Sequence, residues 1–167
     1  MGRKRKQSGL VVQCRIERDR PAAAFMTRGN GIKSKTMQTK DHVLEFRVYL
    51  EDTDAQGIVY YANYLRFFER GRSEILESLG IPMDQVARPD RKLVVYEIRV
   101  KFRRPAFLGD RIEVLTSMLR ASEYRLTFRQ QIRRRGEDEA LVSGEVDVVA
   151  IDQNGALQEL PAIFSPA

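Results

Sequence analysis

The chain has 167 residues, 43% of them hydrophobic, which is enough for one domain with a single sizeable core. It has no apolar run near the about 18 residues a membrane span requires. One cysteine, Cys14, and one histidine, His42, exclude an intramolecular disulfide and leave little from which to build a metal cage, a Cys-His pair or a Ser-His-Asp triad. Any chemistry therefore falls to carboxylates, tyrosines and backbone N–H groups, and the near absence of cysteine fits a reducing cytoplasm.

The net charge of +6 is unevenly placed. Residues 1–40 hold 11 Lys and Arg against two acids, Glu17 and Asp19, whereas from residue 41 onward 21 acidic side chains outnumber 18 basic ones. A nucleic-acid binder carries its positive footprint on the folded face, so this distribution argues against nucleic acid as a partner. Residues 1–36, opening with Arg3-Lys4-Arg5-Lys6, show no sustained period, and the expectation for them is a disordered basic extension. The patterned domain is expected over 37–167, with Met37 as a natural start.

From His42 the alternation of Leu44, Phe46, Val48 and Leu50 with Glu45, Arg47 and Tyr49 predicts a half-buried strand. The segment 51–65, EDTDAQGIVYYANYL, crowds carboxylates into a turn and leads to a helix start without an obvious cap. Over 62–79 the period changes: Tyr64, Phe68, Gly71, Ile75 and Leu79 form one apolar stripe. Gly71 inside that stripe costs about 1 kcal/mol relative to Ala, which predicts close approach of the helix to its neighbour. Gly80 and Pro82 predict the stop.

Four further alternating runs follow. Val94, Tyr96, Ile98, Val100 and Phe102 form the first, and Ile112, Val114, Thr116 and Met118 the second, after a turn at Gly109-Asp110. Tyr124, Leu126, Phe128 and Ile132 form the third, and residues 141–151 the fourth. Long strands with one charged face predict an antiparallel sheet, here five-stranded, wrapped around one long central helix in an α+β arrangement.

The stretch VYLEDTDAQGIVYYANYLRFFERGRSEIL, continued by VYEIRVKFRRPAFLGDRIEV, closely resembles the hotdog-fold acyl-CoA thioesterases of the 4-hydroxybenzoyl-CoA thioesterase family, in particular the Tol-Pal-associated, YbgC-type branch. The resemblance covers about residues 37–165. It implies a hotdog fold and a thiolester hydrolase that releases a carboxylic acid and free coenzyme A, with no metal and no cofactor. It further implies a homodimer or homotetramer in the cytoplasm, acting on acyl-CoA, with acyl carrier protein as a second conceivable thioester carrier. Asp54 is the implied catalytic carboxylate, either nucleophile or general base, and the backbone N–H of Tyr61 the implied oxyanion donor. Gly57, Val59, Tyr60 and Asn63 are implied substrate contacts, with Arg103 and Arg104 as candidates for the coenzyme A phosphates.

Blander readings stand beside these. Asp52 fits a turn residue, Asn63 a helix cap, the tyrosines packing positions, and the arginines an ordinary charged sheet face. Arg133, Arg134 and Arg135 are open to both readings. Glu69 and Glu74 are alternative carboxylates, although an Arg70–Glu74 ion pair explains the latter. Tyr61 departs from the YbgC-type pattern, which usually has His there, but matches the 4-hydroxybenzoyl-CoA enzyme. The alternative function is a hotdog protein that binds an acyl thioester without useful turnover, associated with cell-envelope machinery.

Overall fold

The structure, a computed structural model, describes residues 12–14, 38–82, 86, 88 and 90–164. The expected extension over 1–36 and the start at Met37 lie outside the described residues, apart from the backbone of Val12–Cys14. The elements are β1 (Val12–Cys14), β2 (His42–Arg47), α1 (Asn63–Ser78), β3 (Lys92–Phe102), β4 (Arg111–Arg120), β5 (Arg125–Arg134), β6 (Ala140–Ile151) and β7 (Leu157–Gln158). They form one sheet in the order β1-β3-β6-β5-β4-β2, with β7 pairing β6. Every pairing is antiparallel except β1 on β3, which is parallel. The five long strands are those the alternation predicts. The sheet differs from a five-stranded one by β1 and β7, of three and two residues.

The alternation decides which face is buried. In β4 the four residues Ile112, Val114, Thr116 and Met118 are all buried, with Arg111 and Glu113 turned the other way. On that outer face charges pair across strands: Arg133 Nε reaches Glu113 Oε2 at 2.8 Å and Arg129 Nε reaches Glu145 Oε1 at 3.2 Å. Each pair sits directly opposite in the register, where opposite charges each stabilise a sheet by about 0.2–1 kcal/mol.

Two local expectations are corrected. Leu50 does not continue the first strand: the chain turns into a 3₁₀ helix at Leu50–Asp52, leaving Leu50 74% exposed. In β3 the pairing jumps from Val95↔Val148 to Glu97↔Asp147, so Tyr96 is a bulged residue and is 58% exposed. A bulge inserts one residue and breaks the period of two, which a strict alternation cannot reveal.

Helix α1 lies against the inner face and ends in a Schellman arrangement. Ile81 N–H donates to Leu76 O, Gly80 N–H donates to Glu77 O, and Gly80 takes φ 72°. Gly71 does allow a close approach, because a β-carbon there would lie 2.6 Å from Thr116 Oγ1. Beneath it Gln130 donates from Nε2 to Phe68 O (2.8 Å) and to Thr116 Oγ1 (2.9 Å), and its Oε1 accepts from Arg72 Nη1 (3.1 Å). Burial lowers the Arg72 pKa, partly opposed by Glu69. This polar layer separates two apolar clusters. One, around Phe67, Phe68 and Val114, backs the segment that leads into the helix; the other lies around Ile75, Phe128 and Phe164.

Candidate active site

The segment between β2 and α1 folds into a small hairpin. Tyr49 N–H donates to Asp52 Oδ2 at 2.9 Å, closing the 3₁₀ turn and occupying Asp52 in local structure. The chain then doubles back, with Thr53 bridging Val59. At its tip Asp54 N–H donates to Ile58 O (2.9 Å) and Gly57 N–H to Asp54 O (3.0 Å). Gly57 has φ 75°, a left-handed conformation that glycine adopts without steric cost.

Asp54 therefore sits at the first position of the tip. Its Oδ1 accepts the N–H of Gln56 at 2.8 Å, an Asx turn that orients the carboxylate. Its Oδ2 has no protein partner among the described residues.

The helix start is open. Ala62 occupies the N-cap position and offers no side-chain hydrogen bond, and the first turn contains no acid. Asn63 is turned away from capping, since its Nδ2 donates to Asp52 O at 3.0 Å, the same carbonyl that accepts Tyr60 N–H at 2.9 Å. Between Tyr60 and Asn63, the N–H groups of Tyr61 and Ala62 donate to no partner among the described residues. Unpaired N–H groups at the positive end of a helix dipole form a site for developing negative charge.

The expected contacts divide. Val59 is buried in the core, with its N–H bound to Ala106 O (2.9 Å), so it supports the hairpin from beneath. Tyr60 and Tyr61 are 43% and 62% exposed, with ring centroids 4.6 Å apart. The Tyr60 phenol pKa is raised by its hydrogen bond to Tyr61, then by charge interaction with it. Arg103 is exposed, while Arg104 is engaged by Glu137 (3.2 Å) and Glu139 (3.0 Å). Arg133, Arg134 and Arg135 are likewise held by Glu113, Asp110 and Glu45. Glu69 accepts from Ser73 Oγ at 2.9 Å. The Arg70–Glu74 pair does not form: Arg70 lies over the rings of Phe46 and Phe67, 5.6 and 5.8 Å from their centroids.

Sequence patterning did not point to the floor of the site, the loop over residues 105–110. Ile58 bridges Phe107, and Ala106 N–H donates to the buried Tyr64 hydroxyl at 2.9 Å. Tyr64 reads as one more apolar position in the helix stripe. What its hydroxyl does depends on a loop more than 40 residues later, and only the tertiary structure brings the two together.

Residues 48–166 match the sequence profile of the thioesterase-like superfamily. The chain belongs to that superfamily. Among curated proteins this thioesterase-like chain is 37% identical to the acyl-CoA thioester hydrolase YbgC of Escherichia coli O157:H7 over 106 residues, 64% of this chain and 78% of that one. Among solved structures, a probable thioesterase from Bartonella henselae superposes with TM-score 0.67 at 34% identity, covering 72% of this chain and 99% of that one. A 1,4-dihydroxy-2-naphthoyl-CoA thioesterase from Synechocystis gives TM-score 0.70 at 25% identity, covering 74% and 92%. The hotdog architecture is thus that of its relatives, and no described helix is long and apolar enough to cross a membrane.

Proposed function

We propose that this protein is an acyl-CoA thioester hydrolase in which Asp54 carries the chemistry. The observation that carries this reading is a carboxylate with one oxygen oriented and the other without a partner among the described residues, in the segment leading to an uncapped helix start. The kinship with YbgC supplies the substrate class.

A thioester carbonyl is electrophilic enough for either of two routes. In the first, Asp54 Oδ2 attacks the carbonyl carbon, the C–S bond breaks to release coenzyme A thiolate, and water opens the resulting mixed anhydride. In the second, Asp54 takes a proton from water, the hydroxide attacks, and the departing thiolate recovers the proton. Both routes place negative charge on the former carbonyl oxygen, for which the Tyr61 N–H is the donor. One such donor stabilises a transition state by about 2.7–4 kcal/mol. Tyr60 and Gly57 flank the acyl group, Asn63 fixes the approach through Asp52, and Arg103 remains available for a coenzyme A phosphate.

The exposed side chains around the hairpin (Tyr49, Leu50, Tyr60, Tyr61, Phe107 and Leu108) fit a homodimer or larger homo-oligomer in which a second copy walls the cleft. A cytoplasmic setting and delivery of acyl groups by acyl carrier protein belong to the same proposal. A panel of aliphatic and aromatic acyl-CoA substrates, assayed by free-thiol release, tests the activity. Absence of turnover on all of them, with acyl-CoA still bound, would leave the binding-protein alternative. Single-turnover hydrolysis in labelled water separates the routes, since label enters Asp54 only if an anhydride forms.

A further inference from the structure

We propose that Arg134, acting through the 105–110 loop, is a positioning residue for the Asp54 carboxylate. This rests on the reading of Asp54 as the reacting group. Among the described residues, the hairpin that carries Asp54 has no sheet neighbour of its own except this loop. Val59 N–H donates to Ala106 O at 2.9 Å, Leu108 N–H to Gly57 O at 3.4 Å, and Ile58 bridges Phe107. The loop's shape is in turn set from β5. Arg134 Nε donates to Asp110 Oδ2 (2.7 Å) and Nη2 to Pro105 O (2.7 Å), so one guanidinium spans both ends of the loop. The same Asp110 oxygen accepts Phe107 N–H at 2.9 Å, and the Arg134 guanidinium lies 5.6 Å from the centroid of the Phe107 ring.

The pair is three-quarters shielded, with both side chains 23% exposed, so solvent competes weakly with it. From the helix side Tyr64 accepts Ala106 N–H, which leaves the Ala106 peptide clamped between α1 and the hairpin. A planar fork can hold two acceptors at fixed angles, whereas an ammonium cannot, which explains an arginine here. None of these groups contacts the proposed reacting atoms. Their effect is on where Asp54 stands relative to the Tyr61 N–H.

The test compares Arg134→Lys, Tyr64→Phe and Asp54→Asn in the full chain, at a temperature well below each variant's Tm and per folded molecule. Arg134→Lys keeps the charge and loses the second bond, and Tyr64→Phe removes one oxygen from the opposite side. Both are expected to lower kcat by about 10-fold or more with KM within about 2-fold, the scale of a displaced catalytic group. Amide exchange is expected to speed up more at Asp54, Gly57 and Val59 than at Met118 in β4, where any rise reports only the loss of overall stability. If both variants keep wild-type kcat while Asp54→Asn is inactive, the positioning role is wrong and the Asp54 reading stands. An active Asp54→Asn overturns the reading beneath it.

Discussion

Replacing Gly71 by Ala should destabilise this protein, although the same change in an exposed helix stabilises it by about 1 kcal/mol. The new β-carbon would stand 2.6 Å from Thr116 Oγ1, 3.0 Å from Val114 Cγ1 and 3.1 Å from Gln130 Nε2. Thr116 and Val114 are short side chains on a central strand, buried at 0% exposure, and cannot swing away. Overpacking of this kind costs about 1–3 kcal/mol. Displacing Gln130 from Phe68 O adds about 0.5–1.5 kcal/mol. Subtracting the helix gain leaves a net cost of about 2 kcal/mol, or a fall in Tm of about 4–8 °C for a chain of this size. Thermal unfolding followed by circular dichroism measures it directly. Adding Thr116→Ala relieves the shortest contact, so the double variant should lose less than the sum of the two singles. A Gly71→Ala protein that melts at or above the wild-type temperature would refute the close-approach argument.

Asp52→Asn should leave kcat close to wild type and stability within about 1 kcal/mol, because the amide oxygen still accepts Tyr49 N–H; free-thiol assays and melting check both. Tyr64 gives a pH signature. Burial raises its phenol above the ordinary 10.0, so above that pH the unfolded chain loses this proton first and stability falls as pH rises towards the folded pKa. Tyr64→Phe should remove that part of the alkaline slope in urea titrations across pH 9–11. It should also cost about 1–3 kcal/mol at neutral pH by leaving the buried Ala106 N–H unpaired. Light scattering at micromolar concentration should report a dimer or tetramer, and a monomer would count against the shared cleft.

Legibility in the sequence followed the physics of each element. β4 and the helix stripe were readable because Ile112 to Met118 and Tyr64 to Ile75 are buried at regular spacing, which imposes a period, although Leu79 at the end of the stripe is the exposed C-cap of the helix. β1 and β7 are too short to show a period, and the bulge at Tyr96 shifts a register that alternation assumes constant. The open helix start was visible as a missing cap, and Asp54 and Tyr61 came from the motif. The roles of the arginines were not legible. Arg104, Arg133, Arg134 and Arg135 look alike along the chain, yet only Arg133 meets its carboxylate, Glu113, in the strand register, while Arg104 and Arg134 meet acids in loops and Arg135 reaches Glu45 on β2. The same holds for the support of the site, where Arg134, Tyr64 and the 105–110 loop meet only in three dimensions.

The central claim is that Asp54 performs the hydrolysis, and the most direct measurement is kcat and KM of Asp54→Asn on the best acyl-CoA substrate. Asn preserves the size of the side chain and can still accept Gln56 N–H, but it is neither nucleophile nor base. The account predicts a fall in kcat of about 10³-fold or more with KM nearly unchanged, the pattern of an interaction made only in the transition state. An Asp54→Asn protein with near-wild-type kcat would contradict the account and turn attention to Glu69 and Glu74 on the helix.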